Sequence, residues 1–194
     1  MENKTKTIKK VDLIVIVAPS GTGKSTLIKR IHKEFPLLLW SVSATTRPMR
    51  PGEVDGVDYH FINREQFEQK INDNEFIEWA KVHQNFYGTL KSALDENIKK
   101  NKLTLLDLDV QGCLNLKSIY PDNSVIIFIA PPTIEELNTR LRKRGTENTD
   151  IINIRLLNAK EEIKYQDHFD HKIINDDLEK AYSDLKSLIS LYYR

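Results

Sequence analysis

The feature that most constrains this chain is the stretch VAPSGTGKST at residues 17–26, which joins two segments of different character. The apolar run LIVIVA at 13–18 leads into it and is typical of a strand buried on both faces. KSTLIKRIHKEF at 24–35 follows, with apolar residues at helical spacing. A strand, a glycine-containing loop and a helix form the setting in which phosphate-binding loops occur. We therefore expect such a loop here.

The loop fits the pattern G-x-x-x-x-G-K-[ST] except that it opens on Ala18 instead of glycine. Alanine requires a negative φ there, or a modest strain, since only glycine populates positive φ freely. No phosphate ligand is lost, because the backbone donors lie from Ser20 onward. Lys24 is expected to reach the β- and γ-phosphates of a nucleotide, and Ser25 to offer its hydroxyl to Mg²⁺. The loop positions predicted to bind a nucleoside triphosphate are Ser20, Gly21, Thr22, Gly23, Lys24, Ser25 and Thr26.

Composition limits the class of molecule around this loop. The 194 residues, 40% of them hydrophobic and 29% charged, suit one ordinary globular domain. Lys and Arg number 29 against 28 for Asp and Glu, so the net charge of +1 argues against nucleic acid or a membrane surface as a partner. No obligate protein partner is indicated. One cysteine and no apolar run near the roughly 20 residues of a membrane span lead us to expect a cytoplasmic protein.

Short β-rich apolar runs alternate with longer helical patterns, which predicts a three-layer α/β fold with a parallel sheet core. The stronger strand candidates are 13–18, 103–110 and 124–130, and the weaker ones are 37–43 and 171–175. Thr133 and Glu136 have the spacing of a capping box, which predicts a helix start. A stripe at helical spacing predicts a last helix, with Leu178, Ala181, Tyr182, Leu185, Leu188 and Ile189 on one face.

Two segments interrupt this alternation and are interpreted as insertions on the core of a single domain, 1–194. Residues 43–90 crowd polar residues, glycines and aromatics together, and 134–155 is helical in pattern and rich in arginine. The sequence contains neither an internal repeat nor a low-complexity linker. The predicted core comprises 11–42, 91–133 and 156–194.

Asp107 and Asp109, in LLDLDVQG, form a second candidate for chemistry. Two residues apart on a strand, their carboxylates are expected on one face near its carboxyl end, where ligands gather in parallel sheets. The alternative is that they only end the strand or cap a helix. Two carboxylates within so apolar a segment favour a functional role.

Beyond the loop, the chain resembles the guanylate kinases, which phosphorylate GMP with ATP. The matching stretches follow the family order through almost the whole chain: SVSATTRPMRPGEVDGVDYHF, NEFIEWAKVHQNFYGT, LLDLDVQG, IFIAPPTIEELNTRLRKRGTEN and INDDLEKAY. The resemblance implies a P-loop NTPase fold in which 43–90 forms a GMP-binding subdomain and 134–155 a helical lid. It also implies phosphorylation of GMP, and of dGMP, in purine nucleotide metabolism.

The resemblance further assigns the residues that hold the acceptor phosphate. Arg47, Arg50, Tyr59 and Tyr87 would bind it, and forked guanidinium groups and phenolic hydroxyls suit that role. Glu53 would orient the arginines. Taken singly, the arginines could lie on a loop surface and the tyrosines could be packing residues. Their order and the motif sequences around them favour a role in the binding site.

Glu78 and Ser43 would read the guanine base, with Thr89 assisting at the exocyclic amine. A carboxylate accepts from guanine N1–H and the N2 amine, and adenine lacks that donor pair, so it would leave Glu78 unpaired. Asp107 and Asp109 are included among the GMP-binding residues. The plain alternative is that Glu78 occupies the solvent face of a strand.

The lid segment carries the remaining expected catalytic residues. In the resembled family, the positions of Arg140, Arg144 and Arg155 close over ATP and, with Lys24, place positive charge on the transferring phosphoryl group. The alternatives are a solvated helix face and a small basic localisation signal. Asn175 resembles the family's adenine contact.

Mg²⁺ is the expected cofactor, held by Ser25 and, through water, by Asp107 or Asp109. The five histidines show no metal-ligand constellation, and Cys113 is interpreted as a packed thiol. Two other functions stay open here: a non-catalytic guanylate-kinase-like module that binds phosphopeptides, and a kinase for a different small phosphate acceptor. The intact loop and arginines weigh against the first, and Glu78 weighs against the second. A nucleic-acid-binding ATPase is least favoured.

Overall fold

The computed structural model of the protein describes residues 10–82, 84–143 and 148–193. The strands in chain order are β1 (Leu13–Val17), β2 (Leu39–Trp40), β3 (Ala44–Thr45), β4 (His60–Phe61), β5 (Phe76–Val82), β6 (Asn85–Leu90), β7 (Thr104–Asp107), β8 (Ser124–Ala130) and β9 (His171–Ile174). The α-helices are α1 (Lys24–Glu34), α2 (Arg64–Asn72), α3 (Lys91–Lys99), α4 (Val110–Ile119), α5 (Ile134–Lys143), α6 (Thr149–Ile163) and α7 (Leu178–Tyr192).

A five-stranded parallel sheet, in the order β2–β7–β1–β8–β9, forms the core. Every residue of β1 and β8 is buried, as their apolar sequences predict. One face packs against α1 and α7 through Leu27 and Leu185, and the other against α3 and α4 through Leu94 and Leu116. Burying one such side chain contributes about 1.5–3 kcal/mol. The predicted α/β fold with a parallel sheet core is confirmed.

The parallel arrangement brings the ends of β1 and β7 to the same edge of the sheet. Ile16, near the end of β1, pairs in register with Asp107 at the end of β7. The loop that follows β1 therefore begins beside this aspartate. This edge is where open parallel sheets bind their ligands.

A smaller sheet, in the order β4–β3–β6–β5, lies within the segment 43–90. Strand β6 runs antiparallel to β3 and β5, while β3 and β4 are parallel. The fully buried Phe67 of α2 stacks on Phe76 and Phe86, with ring centroids 4.4 and 5.4 Å away. This apolar cluster, distinct from those of the large sheet, gives the segment a small core of its own.

Helices α5 and α6 pack against each other around Leu137 and Leu141. Thr133 Oγ1 accepts a hydrogen bond from Glu136 N at 3.0 Å, which confirms the predicted start of α5. The Glu136 carboxylate accepts from Arg140 Nε at 3.0 Å. Within the described part of the chain, no helix has both the length and the apolar character needed to cross a membrane.

Two strand predictions need correction. The strand predicted over 103–110 ends at Asp107, because Asp109 is already the N-cap of α4: its Oδ1 accepts from Gly112 N at 2.7 Å. The candidate at 37–43 supplies only the two residues of β2, since the chain then leaves the large sheet and enters the small one at β3.

Candidate active site

The loop between β1 and α1 has the backbone that a phosphate site requires. Gly21 and Gly23 have φ values of 96° and 92°, which residues with side chains rarely adopt. Gly23 is the N-cap of α1, and among the described residues no side chain caps this helix start. The first N–H groups of α1 therefore point toward a site for an anion, and the helix dipole favours negative charge there.

Ala18 does not strain the loop. Of the non-glycine residues that the structure describes, only Asn74 and Asn101 have positive φ, so Ala18 has an ordinary backbone conformation. Its side chain is 8% exposed and belongs to the apolar cluster between the large sheet and α1. The position therefore needs no glycine for its conformation.

Buried contacts support the loop from the side away from solvent. Asn175, which is 3% exposed, donates from Nδ2 to the carbonyl of Thr22 at 2.6 Å. A Cβ on Gly23 would stand 2.6 Å from the same nitrogen, and one on Gly21 would stand 2.8 Å from Leu141 of α5. Asn175 thus braces the loop, and its predicted contact with adenine stays a prediction.

Lys24 and Asp107 form an ion pair at the meeting point of the loop and β7. Above them lies a cavity of about 280 Å³, the loop pocket, which is lined by residues 18–26 together with Asp109 and Glu162. Lys24 and its neighbours therefore face open space large enough for phosphate groups. All seven predicted loop positions, Ser20 to Thr26 in sequence, line this pocket.

The lid arginines lie at different places. Arg155 of α6 donates from Nη1 to Ser20 Oγ at 2.8 Å and so connects α6 to the loop. Arg140 donates to the backbone carbonyls of residues 175–176, at 2.8 and 3.2 Å. Arg144 lies outside the described residues. The structure thus brings Arg155 to the phosphate loop and Arg140 to the segment that braces it.

Glu162 also lines the loop pocket, although it is not among the site residues predicted from the sequence. It follows Arg155 by seven residues, about two helical turns, and therefore lies on the same face of α6. Burial raises the pKa of Glu162, while the charge of Lys24 lowers it and that of Asp109 raises it. The spacing from Arg155 is the sequence feature from which this residue could have been found.

The predicted phosphate-binding residues of the small sheet lie together. Arg47 donates to both carboxylate oxygens of Glu53, at 3.0 and 2.7 Å, and the backbone N–H of Arg50 donates to one of them at 2.7 Å. The hydrogen bond from Arg47 lowers the pKa of Glu53, which keeps the pair charged. The Arg47 guanidinium lies 5.5 Å from the ring centroid of Tyr59, whose ring meets that of Tyr87 edge to face at 5.9 Å. The side chain of Arg50 is exposed.

Glu78 and Thr89 form a hydrogen-bonded pair across β5 and β6. Thr89 Oγ1 donates to Glu78 Oε1 at 2.7 Å, and the two residues are partners in the strand register. Burial raises the pKa of Glu78, and the hydrogen bond from Thr89 opposes this effect. The carboxylate faces a groove of about 480 Å³ between β5 and α4, with its orientation set by Thr89.

A pocket of about 190 Å³, the acceptor pocket, separates the small sheet from the end of β7. It is lined by Trp40, Ser41, Ser43, Asp58, Tyr59, Thr89, Leu106, Asp107 and Leu108. The predicted base readers Ser43 and Thr89 therefore share one pocket with the predicted phosphate ligand Tyr59. Asp107 lines the same pocket and pairs with Lys24, so the pocket adjoins the phosphate loop.

The two aspartates do not form the pair that the sequence suggests. Asp107 ends β7, whereas Asp109 lies beyond the strand and caps α4 through Gly112 N, and its predicted functional role stays a prediction. The reason is that α4 begins directly after Asp109, which a strand pattern in the sequence conceals. Asp109 nevertheless lines the loop pocket and the groove in front of Glu78.

The predicted metal ligands have compatible positions and chemistry. Ser25 and Asp107 line one hollow of about 310 Å³ beside α1. Hydroxyl and carboxylate oxygens are ligands that Mg²⁺ prefers, and Mg²⁺ bound with nucleotide phosphates needs few ligands from the protein. Among residues 10–82, 84–143 and 148–193, no group of three or more His, Cys, Asp or Glu side chains could hold a metal ion by itself. The donor set fits an ion that arrives with a nucleotide.

The fold and the site together define a class of protein. The first strand of the parallel sheet leads into a glycine-containing loop, helix α6 contributes an arginine to that loop, and a separate small sheet carries a paired arginine and a half-buried carboxylate. This is the arrangement of a P-loop kinase that acts on a small phosphorylated acceptor.

Comparison with known proteins narrows that class. A family model described as guanylate kinase matches residues 10–192. The chain is 48% identical over 169 residues to a guanylate kinase of Chlorobium luteolum, which covers 87% of this chain and 86% of the relative. It is 44% identical over 180 residues to a guanylate kinase of Thermotoga maritima, with 93% and 86% covered. The crystal structure of a guanylate kinase from Anaplasma phagocytophilum is 33% identical, has a TM-score of 0.66, and covers 95% of this chain and 88% of that one.

The chain belongs to the guanylate kinase family. The resemblance seen in its sequence is confirmed, and the protein is an enzyme of that family.

Proposed function

We propose that this enzyme transfers the γ-phosphoryl group of ATP to GMP, and also to dGMP, with ATP in the loop pocket and the acceptor extending from the acceptor pocket into the adjoining groove that Glu78 lines. The observation that carries the proposal is the position of Asp107. This residue lines the acceptor pocket and pairs with Lys24 of the phosphate loop, so nucleotides in the two pockets would face each other at this point.

On the ATP side, the loop backbone and Lys24 bind the phosphates. Arg155, already hydrogen-bonded to Ser20, adds positive charge beside the γ-phosphate. Arg144 adds a further charge when the lid closes. Arg140 is proposed to act with them, and its bonds to the carbonyls of residues 175–176 support an additional role in ordering the adenine end. Such positioning and charge neutralisation supply most of the catalysis in phosphoryl transfer.

On the acceptor side, two groups of residues divide the work. The GMP phosphate is bound by Arg47, Arg50, Tyr59 and Tyr87. Glu53 orients the Arg47 guanidinium for this contact through two hydrogen bonds. Glu78, oriented by Thr89, accepts from guanine N1–H and the N2 amine, and Ser43 donates to O6. These contacts are to the base and the phosphate, which is why dGMP is proposed as a second acceptor.

The attacking group is an oxygen of the acceptor phosphate. This oxygen is already anionic near neutral pH, so no side chain has to remove a proton from it. In-line attack then requires that the two phosphates be held in contact while water is kept out. We propose that 43–90 and 134–155 close over the core formed by 11–42, 91–133 and 156–194 for this purpose.

Mg²⁺ is the proposed cofactor. Ser25 would hold it directly, and Asp107 or Asp109 through water, which their shared hollows with Ser25 support. When bound, the ion neutralises charge on the β- and γ-phosphates. Loss of activity on chelation and its return with added Mg²⁺ would test this.

The other proposals concern setting and partners. ATP and GMP are the proposed partners, with no nucleic acid, membrane or obligate protein partner, in accord with the net charge of +1. A cytoplasmic location is proposed because the one thiol, Cys113, is buried and suits a reducing compartment. A phosphopeptide-binding module is not favoured, since the phosphate loop is complete at Lys24 and Ser25.

A coupled assay of ADP formation tests the proposed function. MgATP is supplied with GMP, dGMP, AMP, UMP or CMP in turn. We expect turnover with GMP and dGMP and only background with the other three. Folded protein that gives background with GMP would overturn the proposal.

A further inference from the structure

Ser41 is a buried serine at the edge of the large sheet. Its backbone N–H donates to the carbonyl of Leu105 at 3.0 Å, which continues the pairing of β2 with β7 by one residue. The residue is 8% exposed. Its side-chain hydroxyl has no hydrogen-bond partner among the described residues, and no other buried side-chain oxygen or nitrogen of that part of the chain is in this state.

Ser41 borders the acceptor pocket, and its hydroxyl oxygen is itself closed to solvent. Ser41 lines this pocket with Ser43, Thr89 and Tyr59. Because Trp40 pairs with Leu105, Ser41 lies beside Leu106, whose side chain belongs to the cluster on the α4 face of the sheet. The side chain of Ser41 therefore faces the acceptor side, away from α1.

An unpaired buried hydroxyl is unfavourable in the free protein. It has lost its hydrogen bonds to water and has gained none from the protein, which destabilises the folded state. Most buried side-chain hydroxyls avoid this; Ser124, which is 3% exposed, donates to the carbonyl of Tyr120 at 2.7 Å. A buried hydroxyl that faces a ligand pocket can instead be satisfied by the ligand.

We propose that the hydroxyl of Ser41 is a further contact of the acceptor nucleotide and hydrogen-bonds the guanosine part of the bound monophosphate. Its pocket is shared with Ser43 and Thr89, the proposed contacts of the base, and with Tyr59, a proposed ligand of the phosphate. The nucleoside would lie between the residues proposed to contact the base and the residue proposed to bind the phosphate, and therefore beside the Ser41 hydroxyl. The inference rests on the proposed function, because it takes the acceptor pocket to be the GMP site.

The test compares Ser41→Ala with Ser124→Ala, a matched buried serine whose hydroxyl has a protein partner. For Ser41→Ala, the Kd for GMP measured by calorimetry is expected to rise about fivefold to tenfold. The Kd for ATP should not change, and the Tm of the ligand-free protein should stay the same or increase. For Ser124→Ala, the Tm should fall and the Kd for GMP should not change.

The outcomes separate this inference from the function on which it rests. If the unmodified enzyme does not bind GMP, the proposed function fails and the inference fails with it. Suppose instead that the unmodified enzyme binds GMP and that Arg50→Met weakens this binding. If Ser41→Ala then leaves the Kd for GMP unchanged, only the inference is overturned. A lower Tm for Ser41→Ala, with equal losses of GMP and ATP binding, would show a structural role and would also overturn it.

Discussion

Lys24 and Asp107 form an ion pair that joins the start of α1 to the end of β7 before any nucleotide is bound. The side chains are 20% and 34% exposed, so the pair is partly accessible to solvent. Partly exposed pairs of this kind contribute little to stability, at most about 1 kcal/mol. The contact therefore holds Lys24 at the mouth of the loop pocket without tying it there, and an incoming phosphate can take the place of Asp107.

Replacing Lys24 by methionine tests the phosphate loop. Lys24→Met should lower kcat by a factor on the order of 100 or more, because it removes a charge from the developing transition state. The Tm should change little, since the lost pair is partly exposed. Lys33→Met, at an exposed position of the same helix, is the control and should keep normal turnover. Near-normal turnover of Lys24→Met would contradict the assignment of the loop.

Ala18→Gly tests whether the departure from the glycine pattern matters. Ala18 has no positive φ and its methyl group is buried, so glycine gains no needed conformation and loses packing. We expect unchanged kcat and a loss of roughly 0.5–1 kcal/mol in the free energy of unfolding. Steady-state kinetics and denaturant unfolding measure the two. A clear rise in turnover would show that the alanine restricts the loop during catalysis.

Gly112→Ala tests how α4 positions Glu78, the proposed reader of the base. A Cβ at Gly112 would stand 2.9 Å from Cγ of Glu78, so the glutamate would have to move. Alanine in place of glycine normally favours a helix by roughly 0.5–1 kcal/mol, yet here we expect the KM for GMP to rise while the KM for ATP stays unchanged. Ser118→Ala, at an exposed position of the same helix, should change neither. An unchanged KM for GMP in Gly112→Ala would show that the approach of α4 does not position Glu78.

The parts of the site that the sequence predicts are those with local causes. Gly21 and Gly23 appear in a pattern because their positive φ demands glycine wherever such a loop forms. Thr133 is predictable as a helix cap because it lies three residues before Glu136, whose N–H donates a hydrogen bond to its hydroxyl. The same holds for the apolar runs of β1 and β8, whose burial follows from their composition.

The parts that the sequence does not predict depend on distant segments. The bond from Asn175 to Thr22 spans 153 positions, and the bond from Arg140 to the carbonyl of Asn175 spans 35. Neither leaves a periodic pattern in the sequence. The sequence predicts Asp109 on a strand, because its two-residue spacing from Asp107 conceals the start of α4. Ser41 has no distinguishing neighbour in the sequence, since its lack of a partner is a property of the packed pocket.

Glu78→Gln tests the free-energy cost of the partial burial of the Glu78 carboxylate. Burial raises the pKa of Glu78, so the folded protein binds this proton more tightly than the unfolded chain does. Ionising Glu78 therefore costs stability as the pH rises above the usual carboxyl range, and glutamine escapes that cost. We expect the difference in unfolding free energy, variant minus unmodified enzyme, to be more positive at pH 7 than at pH 4. Glu65→Gln, at an exposed position, controls for the lost charge; equal differences at both pH values for Glu78→Gln would contradict the burial effect.

The ratio of kcat/KM for GMP to kcat/KM for AMP, in the unmodified enzyme and in Glu78→Gln, tests the central claim most directly. We predict a ratio on the order of 10⁴ for the unmodified enzyme, because adenine offers no donor pair to the half-buried carboxylate of Glu78. In Glu78→Gln the ratio should fall by at least about tenfold, with the KM for ATP unchanged. An enzyme that uses AMP as well as GMP, or a ratio that the substitution leaves unchanged, would contradict the account.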